Sequence, residues 1–324
     1  MGTLTIKFVD FNPSWNGEDN FIVDALKSKY DVVVLKGREE EPELLFYSFN
    51  GMEHLRYDCV RIYFSGENDV PNFNECDYAI SSRYLDFEGR HMRYPFFAQA
   101  QEYRDIVAGR VPLFTDEEAL GRPFCSCVIS NYNAADPMRM RIFNAIDQYK
   151  HVASGGRSRN NVGGPVTDKM EFISRYKFNI AAENSSALGY TTEKMVEPMA
   201  AGTVPIYWGN RMVSKDFNKD SYIDISDYST LQSAVDAISR LDNDPEAYLT
   251  MLRAPKLLAD QAIDWDDRLA DFLCGIAANG FVHRLDCGIQ LSMSTHTRAA
   301  QWLYSHFLLR KAARFFTKRY RKRS

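Results

Sequence analysis

The sequence predicts an α/β protein with two doubly wound parallel-sheet domains. Short apolar runs alternate with amphipathic helical segments along most of the chain. This alternation occurs in two successive series, separated at 109–123 by a segment rich in Gly, Pro and acidic residues. The chain has 324 residues, and about 150 residues per domain leaves material for two hydrophobic cores.

The first series predicts a domain over residues 1–122. Asn20 is a predicted helix cap, because its side chain can accept hydrogen bonds from the first turn of NFIVDALKSKY. A second helix is expected from about Phe97 to Ala108. The predicted strands, rich in β-branched and aromatic residues, are LTIKFVDF, YDVVVLK, ELLFYSF, CVRIYFS and CDYAIS.

The second series predicts a domain over residues 123–277. Parallel sheets bind ligands at the carboxyl ends of their strands, so two facing domains predict a ligand cleft between them. The predicted elements are strand PFCSCVIS, helix 137–149, a strand near Val152, a Gly-rich loop, helix 167–175, strand 177–182, a helix from about Thr192, strands TVPIYWG and YIDIS, and helices near 229–240, 245–254 and 264–277.

Residues 278–324 are predicted to form a helical tail that is basic from 298 onward. This tail carries nine Lys or Arg and no Asp or Glu from 298 to 324, whereas the whole chain has a net charge of −4. On a helical wheel its aromatic and basic residues fall on opposite faces, which is typical of a helix lying on an anionic membrane surface. The acidic remainder of the chain argues against nucleic acid as a partner.

The sequence predicts neither a membrane span nor a signal peptide. No apolar run approaches the ~20 residues of a membrane span, and MGTLTIKFVDF lacks the pattern of a signal peptide. We therefore expect a cytoplasmic protein held peripherally at the inner membrane face.

No metal site is predicted. The six cysteines include no CxxC pair, and alternation places Cys125 and Cys127 on one face of a strand as buried thiols. Two DxD sequences, 242–244 and 264–266, fit a divalent-ion pattern but stand where helix caps are expected.

A crowded polar loop joins a strand to a helix within 178–209. It contains Asn184 and Tyr190, and the first turn of the predicted helix carries Glu193 and Lys194. Free N–H groups and the helix dipole make such a helix start an anion site, and Lys194 adds a positive charge. The alternative is an ordinary helix start, with Thr192 as cap and Glu193 as a surface residue.

Two further segments are candidates for chemistry. The loop ASGGRSRNNVGG contains four glycines and Arg159, which suits phosphate binding, although a mobile surface loop is an equal alternative. Glu67 follows the strand CVRIYFS, where a carboxylate can serve as a general base; a turn glutamate is the alternative.

The motifs resemble glycosyltransferase family 10, the α1,3/α1,4-fucosyltransferases, and are most similar to its bacterial members. YKFNIAAENSSALGYTTEKMVEPMAAGTVPIYWG is similar to the family signature. FSGENDVPNFNECDYAI resembles its acceptor-side motif, and GGRSRNNVG resembles its donor-side arginine loop. The similarity runs in the same order over roughly 45–255. One departure is Pro198, which is expected to kink or restart the helix.

The resemblance implies a GT-B fold, with an acceptor-binding N-terminal domain, a GDP-fucose-binding C-terminal domain and no required metal. It implies inverting α1,3 transfer of fucose from GDP-β-L-fucose to N-acetylglucosamine of a lactosamine-type or surface glycan, giving a Lewis X-like product. Alternatives are another nucleotide sugar such as GDP-mannose, an α1,4 linkage, or a catalytically silent glycan-binding protein. By matching positions, Glu67 is the base, Glu193 lies near the fucose ring, and the donor ligands are Arg159, Asn184, Tyr190, Glu193 and Lys194.

Overall fold

The computed structural model describes residues 2–37, 39–130, 135–280 and 282–283. The predicted amphipathic tail from 298 lies outside these residues. The described chain divides into two compact units. Of the described residues, unit 1 contains those up to Ser81, Leu85–Tyr94 and those from Asp264 to His283; unit 2 contains Ser82–Tyr84 and those between Pro95 and Ile263.

Unit 1 is built on a six-stranded parallel sheet with the order β2-β1-β3-β4-β5-β6. Its central strands are buried on both faces, as in β4, because helices cover parallel sheets. The elements are β1 Thr3–Val9, α1 Phe21–Lys27, β2 Asp31–Val34, β3 Leu44–Tyr47, a 3₁₀ turn Glu53–Arg56, β4 Val60–Ser65, β5 Tyr78–Ser81, β6 His91–Arg93 and, from the C-terminal part, α9 Trp265–Ala278.

Unit 2 is built on a five-stranded parallel sheet with the order β11-β10-β9-β7-β8. Its core includes fully buried Phe178, Ile206 and Tyr248. The elements are a 3₁₀ turn Phe96–Gln99, α2 Gln101–Val107, α3 Asp116–Gly121, β7 Cys125–Cys127, α4 Met138–Tyr149, β8 Val152–Ser154, α5 Lys169–Ser174, β9 Phe178–Ala182, α6 Glu193–Ala200, β10 Val204–Trp208, three 3₁₀ turns at Val213–Lys215, Lys219–Ser221 and Ile225–Asp227, β11 Ile223–Asp224, α7 Leu231–Asp242 and α8 Pro245–Arg253.

The prediction of a GT-B-like α/β protein with two parallel sheets is confirmed. The division between the units differs from the predicted boundaries at 122/123 and 277/278. Segment 95–122 belongs to unit 2 because α2 packs on α6, and because Arg122 donates hydrogen bonds to the carbonyls of Ser174 and Gly202. Helix α9 belongs to unit 1, where it packs on α1.

Three predicted helix caps are confirmed, whereas Thr192 precedes α6 without a capping hydrogen bond from its side chain. The Asn20 side chain accepts hydrogen bonds from Ile22 N and Val23 N at the start of α1. Asp244 caps α8 and Asp264 caps α9, each through a side-chain oxygen that accepts backbone N–H groups. The first DxD sequence therefore joins the end of α7 to the start of α8, and the second starts α9. Within the described ranges, no cluster of three or more His, Cys, Asp or Glu could hold a metal ion.

Four local features depart from the sequence prediction. The helix expected from about Phe97 to Ala108 is a 3₁₀ turn followed by α2. The segment 109–123 contains α3, which starts with a capping box between Thr115 and Glu118. Strand β6 was not predicted, because three residues show no periodicity. Helix α6 continues past Pro198 to Ala200, so it does not restart at this residue.

Both thiols predicted on one strand face are buried. Cys125 and Cys127 lie in β7, and burial raises the pKa of the Cys127 thiol to about 12.

None of the helices in the described ranges combines the length and the hydrophobicity that a membrane crossing requires.

Candidate active site

The candidate site in unit 2 centres on Glu183, which follows β9 at the carboxyl edge of the sheet. Its side chain is fully buried, and its carboxylate accepts hydrogen bonds from Thr192 N and Thr192 Oγ1, both at 2.7 Å. A Cβ at Gly209, just after β10, would lie 2.5 Å from Cγ of Glu183. Glycine is therefore needed at 209 to leave room for this carboxylate.

Lys194 lies against this carboxylate in the first turn of α6. Its Nζ donates to Thr192 Oγ1 at 2.9 Å and to Glu193 Oε1 at 3.0 Å, and lies 3.5 Å from Glu183 Oε2. The Lys194 side chain is 17% exposed. The two carboxylates hold the ammonium at the start of the helix.

The pKa shifts of Glu183, Lys194 and Glu193 result from two opposing effects, burial and ion pairing. Burial raises the pKa of Glu183 despite Lys194 and the Thr192 hydrogen bonds. Burial alone would lower the pKa of Lys194, but Glu183 and Glu193 outweigh it and leave that pKa above its usual value. Burial also opposes ionisation of Glu193, yet Lys194 brings the pKa of Glu193 below its usual value. We therefore expect Lys194 and Glu193 to be charged at neutral pH.

A second cation reaches this loop from α4. Arg139 is buried in the first turn of that helix, and its Nη1 donates to Asn184 Oδ1 at 2.8 Å. Burial lowers the pKa of Arg139, and the nearby carboxylates of Glu183 and Glu193 partly compensate. The carbonyl of Asn184 also accepts from Asp136 N at 2.7 Å, so the loop after β9 is fixed to the start of α4.

The rest of the β9–α6 loop is anchored inside unit 2. Gly189 N donates to Asn210 Oδ1 at 3.0 Å, and Asn210 Nδ2 donates to Thr191 Oγ1 at 3.1 Å. Gly189 has a φ of +87°, and a Cβ there would lie 2.2 Å from the Ser82 carbonyl oxygen. Tyr190 is 2% exposed, so its ring packs within the unit. The loop is therefore a fixed scaffold for Glu193 and Lys194.

The Gly-rich loop after β8 is held by its own asparagines. Asn161 Oδ1 accepts from Ser154 N at 2.7 Å, and Asn160 Oδ1 accepts from Gly164 N at 2.8 Å. A Cβ at Gly156 would lie 2.1 Å from the Ile129 carbonyl oxygen, so this position needs glycine. Arg159 has a φ of +53°, and its side chain is exposed. These hydrogen bonds support the backbone of the loop that presents Arg159.

Glu67 lies in unit 1, immediately after β4. Its side chain is exposed, and its N–H donates to Ser65 Oγ at 3.2 Å. The Glu67 carbonyl accepts from Asp69 N at 2.8 Å, and the Asp69 carboxylate accepts from Tyr63 OH at 2.5 Å. The turn that carries Glu67 is therefore tied back to β4.

The two halves of the chain match two family models. Residues 6–99 match the α-(1,3)-fucosyltransferase FucT N-terminal domain, and residues 122–277 match the glycosyltransferase family 10 (fucosyltransferase) C-terminal domain. The chain belongs to glycosyltransferase family 10. The recognition made from the three sequence motifs is confirmed.

Curated and solved relatives of this family 10 chain extend the comparison. The α-(1,3)-fucosyltransferase FucT of Helicobacter pylori is 34% identical over 260 residues, which cover 70% of this chain and 54% of that protein. The putative fucosyltransferase R654 of Acanthamoeba polyphaga mimivirus is 30% identical over 214 residues, which cover 62% of this chain and 34% of that protein. The chain thus spans about half and about a third of these curated relatives. A crystal structure of an α1,3-fucosyltransferase with GDP-fucose is similar with a TM-score of 0.71 and 27% identity, covering 87% of this chain and 93% of that one.

The structure of this family 10 member groups some of the predicted site residues and separates others. Asn184, Glu193 and Lys194 lie together in unit 2. Arg159 lies on the loop after β8, and β7 separates that strand from β9. Glu67 lies in unit 1.

Two residues at the candidate site were not among those selected from the sequence. Glu183 was visible in the polar loop, but its burial depends on Gly209 in another segment. Arg139 had a sequence signal, since a cation in the first turn of a helix opposes the helix dipole.

Proposed function

We propose that this protein is an inverting α1,3-fucosyltransferase that uses GDP-β-L-fucose. The observation that carries the proposal is the cation placement at the carboxyl edge of the unit 2 sheet. Lys194 and Arg139 lie in the first turns of two helices that follow neighbouring strands. Helix starts already favour anions, and the Lys194 ammonium adds positive charge that fits a nucleotide diphosphate, while Arg139 orients Asn184 beside it. Family membership supports fucose as the sugar.

In the proposed reaction, an acceptor hydroxyl loses its proton to the Glu67 carboxylate as its oxygen attacks the anomeric carbon of fucose. The bond between this carbon and the diphosphate oxygen breaks, and GDP leaves with the electron pair. Attack opposite the leaving group converts the β-linked donor into an α-linked product. Glu67 fits the base role because it is exposed on a turn held by Ser65 and Asp69.

The leaving diphosphate needs positive charge. We assign this role to Lys194, Arg159 and the backbone dipoles at the start of α6, so the proposed reaction requires no metal. Lys194 is suited to it, since its ammonium lies beside two carboxylates that keep it charged, and its side chain is 17% exposed. Glu193, ionised beside Lys194, is assigned to the fucose hydroxyls or to the positive charge that develops on the sugar. Asn184, oriented by Arg139, and Tyr190 are assigned to donor binding.

The proposed acceptor is N-acetylglucosamine in a lactosamine-type glycan, giving a Lewis X-like product on an oligosaccharide or surface glycan. Alternatives are a donor such as GDP-mannose, an α1,4 linkage, or glycan binding without catalysis. The charged groups at Glu67, Arg159, Glu193 and Lys194 favour a catalyst over a silent binding protein.

A donor and linkage assay tests this function. The full chain is incubated with N-acetyllactosamine and either GDP-fucose or GDP-mannose, and the product linkage is determined by NMR. We expect an α1,3-fucosylated product from GDP-fucose alone. Transfer of mannose, an α1,4 linkage, or acceptor binding without transfer would each replace the proposal by the corresponding alternative.

A further inference from the structure

Unit 1 contains a large cavity that the proposed reaction does not use. Its volume is about 880 Å³, which falls in the range of about 300–1,000 Å³ typical of ligand sites. It lies at the carboxyl ends of β1 and β2, where Val9 and Val34 end their strands. Ligands of parallel sheets bind at this edge.

The chemistry of the cavity lining fits an uncharged, hydroxyl-rich ligand. Aromatic and amide side chains line it, including half-buried Trp15 and exposed Asn12 and Asn16. Trp15 stacks on Phe11 with ring centroids 4.5 Å apart, which fixes the orientation of the indole. Aromatic faces bind the apolar faces of sugar rings, and amides bind their hydroxyls.

The charges around the cavity are already paired within the protein. Lys36 Nζ lies 2.8 Å from Glu18 Oε1. The Asp10 carboxylate contacts His54 Nδ1 at 2.8 Å, and the Lys7 ammonium donates to the backbone carbonyl of Glu40 at 2.9 Å. Among the described lining residues, both lysines thus already donate within the protein, Lys36 to a carboxylate and Lys7 to a backbone carbonyl, which favours a neutral ligand over a phosphate or sulfate group.

The cavity is close to Glu67 along the same sheet edge. Trp15 contacts Phe64 of β4 with ring centroids 6.0 Å apart, and Phe64 precedes Glu67 by three residues. Strands β1 and β4 are separated only by β3, so their ends are roughly 10 Å apart. A sugar chain that presents a hydroxyl to Glu67 can thus extend over this distance into the cavity.

We propose that this cavity is a subsite for the acceptor glycan, binding sugar residues beyond the lactosamine unit that carries the reacting hydroxyl. Trp15 provides the stacking surface, and Asn12 and Asn16 provide amide groups for hydroxyls. The proposal rests on the proposed transferase function, and it predicts that longer oligosaccharides are better acceptors.

Acceptor-length kinetics on the full chain test the subsite. Transfer from GDP-fucose is measured to N-acetyllactosamine and to its dimer and trimer, for the wild type, Trp15→Ala and Val34→Phe. We expect kcat/KM to rise with length in the wild type. Both variants should lose about three- to tenfold with the longer acceptors, while the disaccharide kcat/KM and the KM for GDP-fucose stay unchanged.

The variants act in different ways. Trp15→Ala removes the stacking surface, and it also removes packing against four aromatic residues, Phe8, Phe11, Phe21 and Phe64. Val34→Phe adds bulk to the cavity from the edge strand β2 and keeps Trp15. Phe87→Ala is the control, because Phe87 is an exposed aromatic residue of unit 1 near β6, at the opposite edge of the sheet.

The subsite proposal would be overturned if kcat/KM did not rise with acceptor length in the wild type. It would also be overturned if this rise persisted in Val34→Phe. Binding of the non-fucosylated trimer, followed by saturation-transfer NMR, separates this proposal from the proposed function. Binding that Val34→Phe weakens supports the subsite even if no fucose is transferred to any acceptor. Transfer without such binding contradicts the subsite and leaves the function intact.

Discussion

Replacing Lys194 with methionine is expected to weaken GDP binding and also to destabilise unit 2. Methionine keeps most of the side-chain volume but removes the ammonium that lies beside Glu183 and Glu193. Loss of a charge-assisted hydrogen bond to a diphosphate removes about 1.5–3 kcal/mol, or about 10- to 150-fold in Kd. Isothermal titration calorimetry with GDP measures this loss.

The loss of stability follows from the burial of Glu183, which is fully inaccessible to solvent. Removing one partner of a buried ion pair costs about 3–5 kcal/mol; the 3.5 Å separation and the 17% exposure of Lys194 reduce our expectation to about 2–3 kcal/mol. At about 2–4 °C per kcal/mol, the Tm of unit 2 should fall by about 4–12 °C.

The stability loss should depend on pH. Burial already raises the pKa of Glu183, and removing Lys194 raises it further. A carboxyl group whose pKa is higher in the folded state destabilises the fold when ionised. The stability difference between the wild type and Lys194→Met should therefore be largest above the pKa of Glu183 in the folded protein. It should disappear once the pH falls below the usual pKa of glutamate. Calorimetric melting at several pH values measures this trend.

The double variant Glu183→Gln/Lys194→Met separates the two effects. Without the buried charge, the stability of unit 2 should largely recover, whereas GDP affinity should stay low. Full GDP affinity in Lys194→Met would refute the assignment of Lys194 to the diphosphate. A Tm deficit that Glu183→Gln fails to reduce would refute the pairing argument.

Three other predictions concern the diphosphate, the metal and the tail. Arg159→Ala should weaken GDP binding by about 10- to 150-fold, and its Tm should be unchanged because the side chain is exposed. If calorimetry gave the variant the same GDP affinity as the wild type, Arg159 would be only a surface charge. Transfer activity should survive EDTA, and loss on chelation with recovery on adding Mn²⁺ or Mg²⁺ would contradict the metal-free reaction. Truncation before residue 298 should abolish sedimentation with anionic vesicles but keep transfer to soluble acceptors; equal sedimentation of both proteins would exclude membrane attachment by the tail.

The fold was largely predictable because its strands are buried apolar runs between recognisable helix starts. Asn20, Asp244 and Asp264 cap helices as their positions indicated. The domain division was harder to predict, since it depends on which unit α2 and α9 pack against. The capping box at Thr115 was present in the sequence, but the surrounding Gly and Pro favoured a connection.

The candidate site was predictable where it is contiguous in sequence. Asn184, Glu193 and Lys194 fall within one loop and helix start, so the sequence alone predicted that they lie together. Arg139 comes from another helix, and its contact with Asn184 depends on the adjacency of β7 and β9. The contact of Glu183 with Thr192 likewise depends on how the loop between them folds back, and sequence spacing alone does not determine this.

The most direct test of the central claim is a comparison of Glu67→Gln with the wild type in fucose transfer and in GDP-fucose binding. Glutamine keeps the size of the side chain and the backbone hydrogen bonds of the turn, but it cannot accept the acceptor proton. We predict that the variant binds GDP-fucose with wild-type affinity and loses about 10²–10⁴-fold in turnover on N-acetyllactosamine. Near-normal transfer by Glu67→Gln would contradict the account and move the base role to Glu193 or another residue.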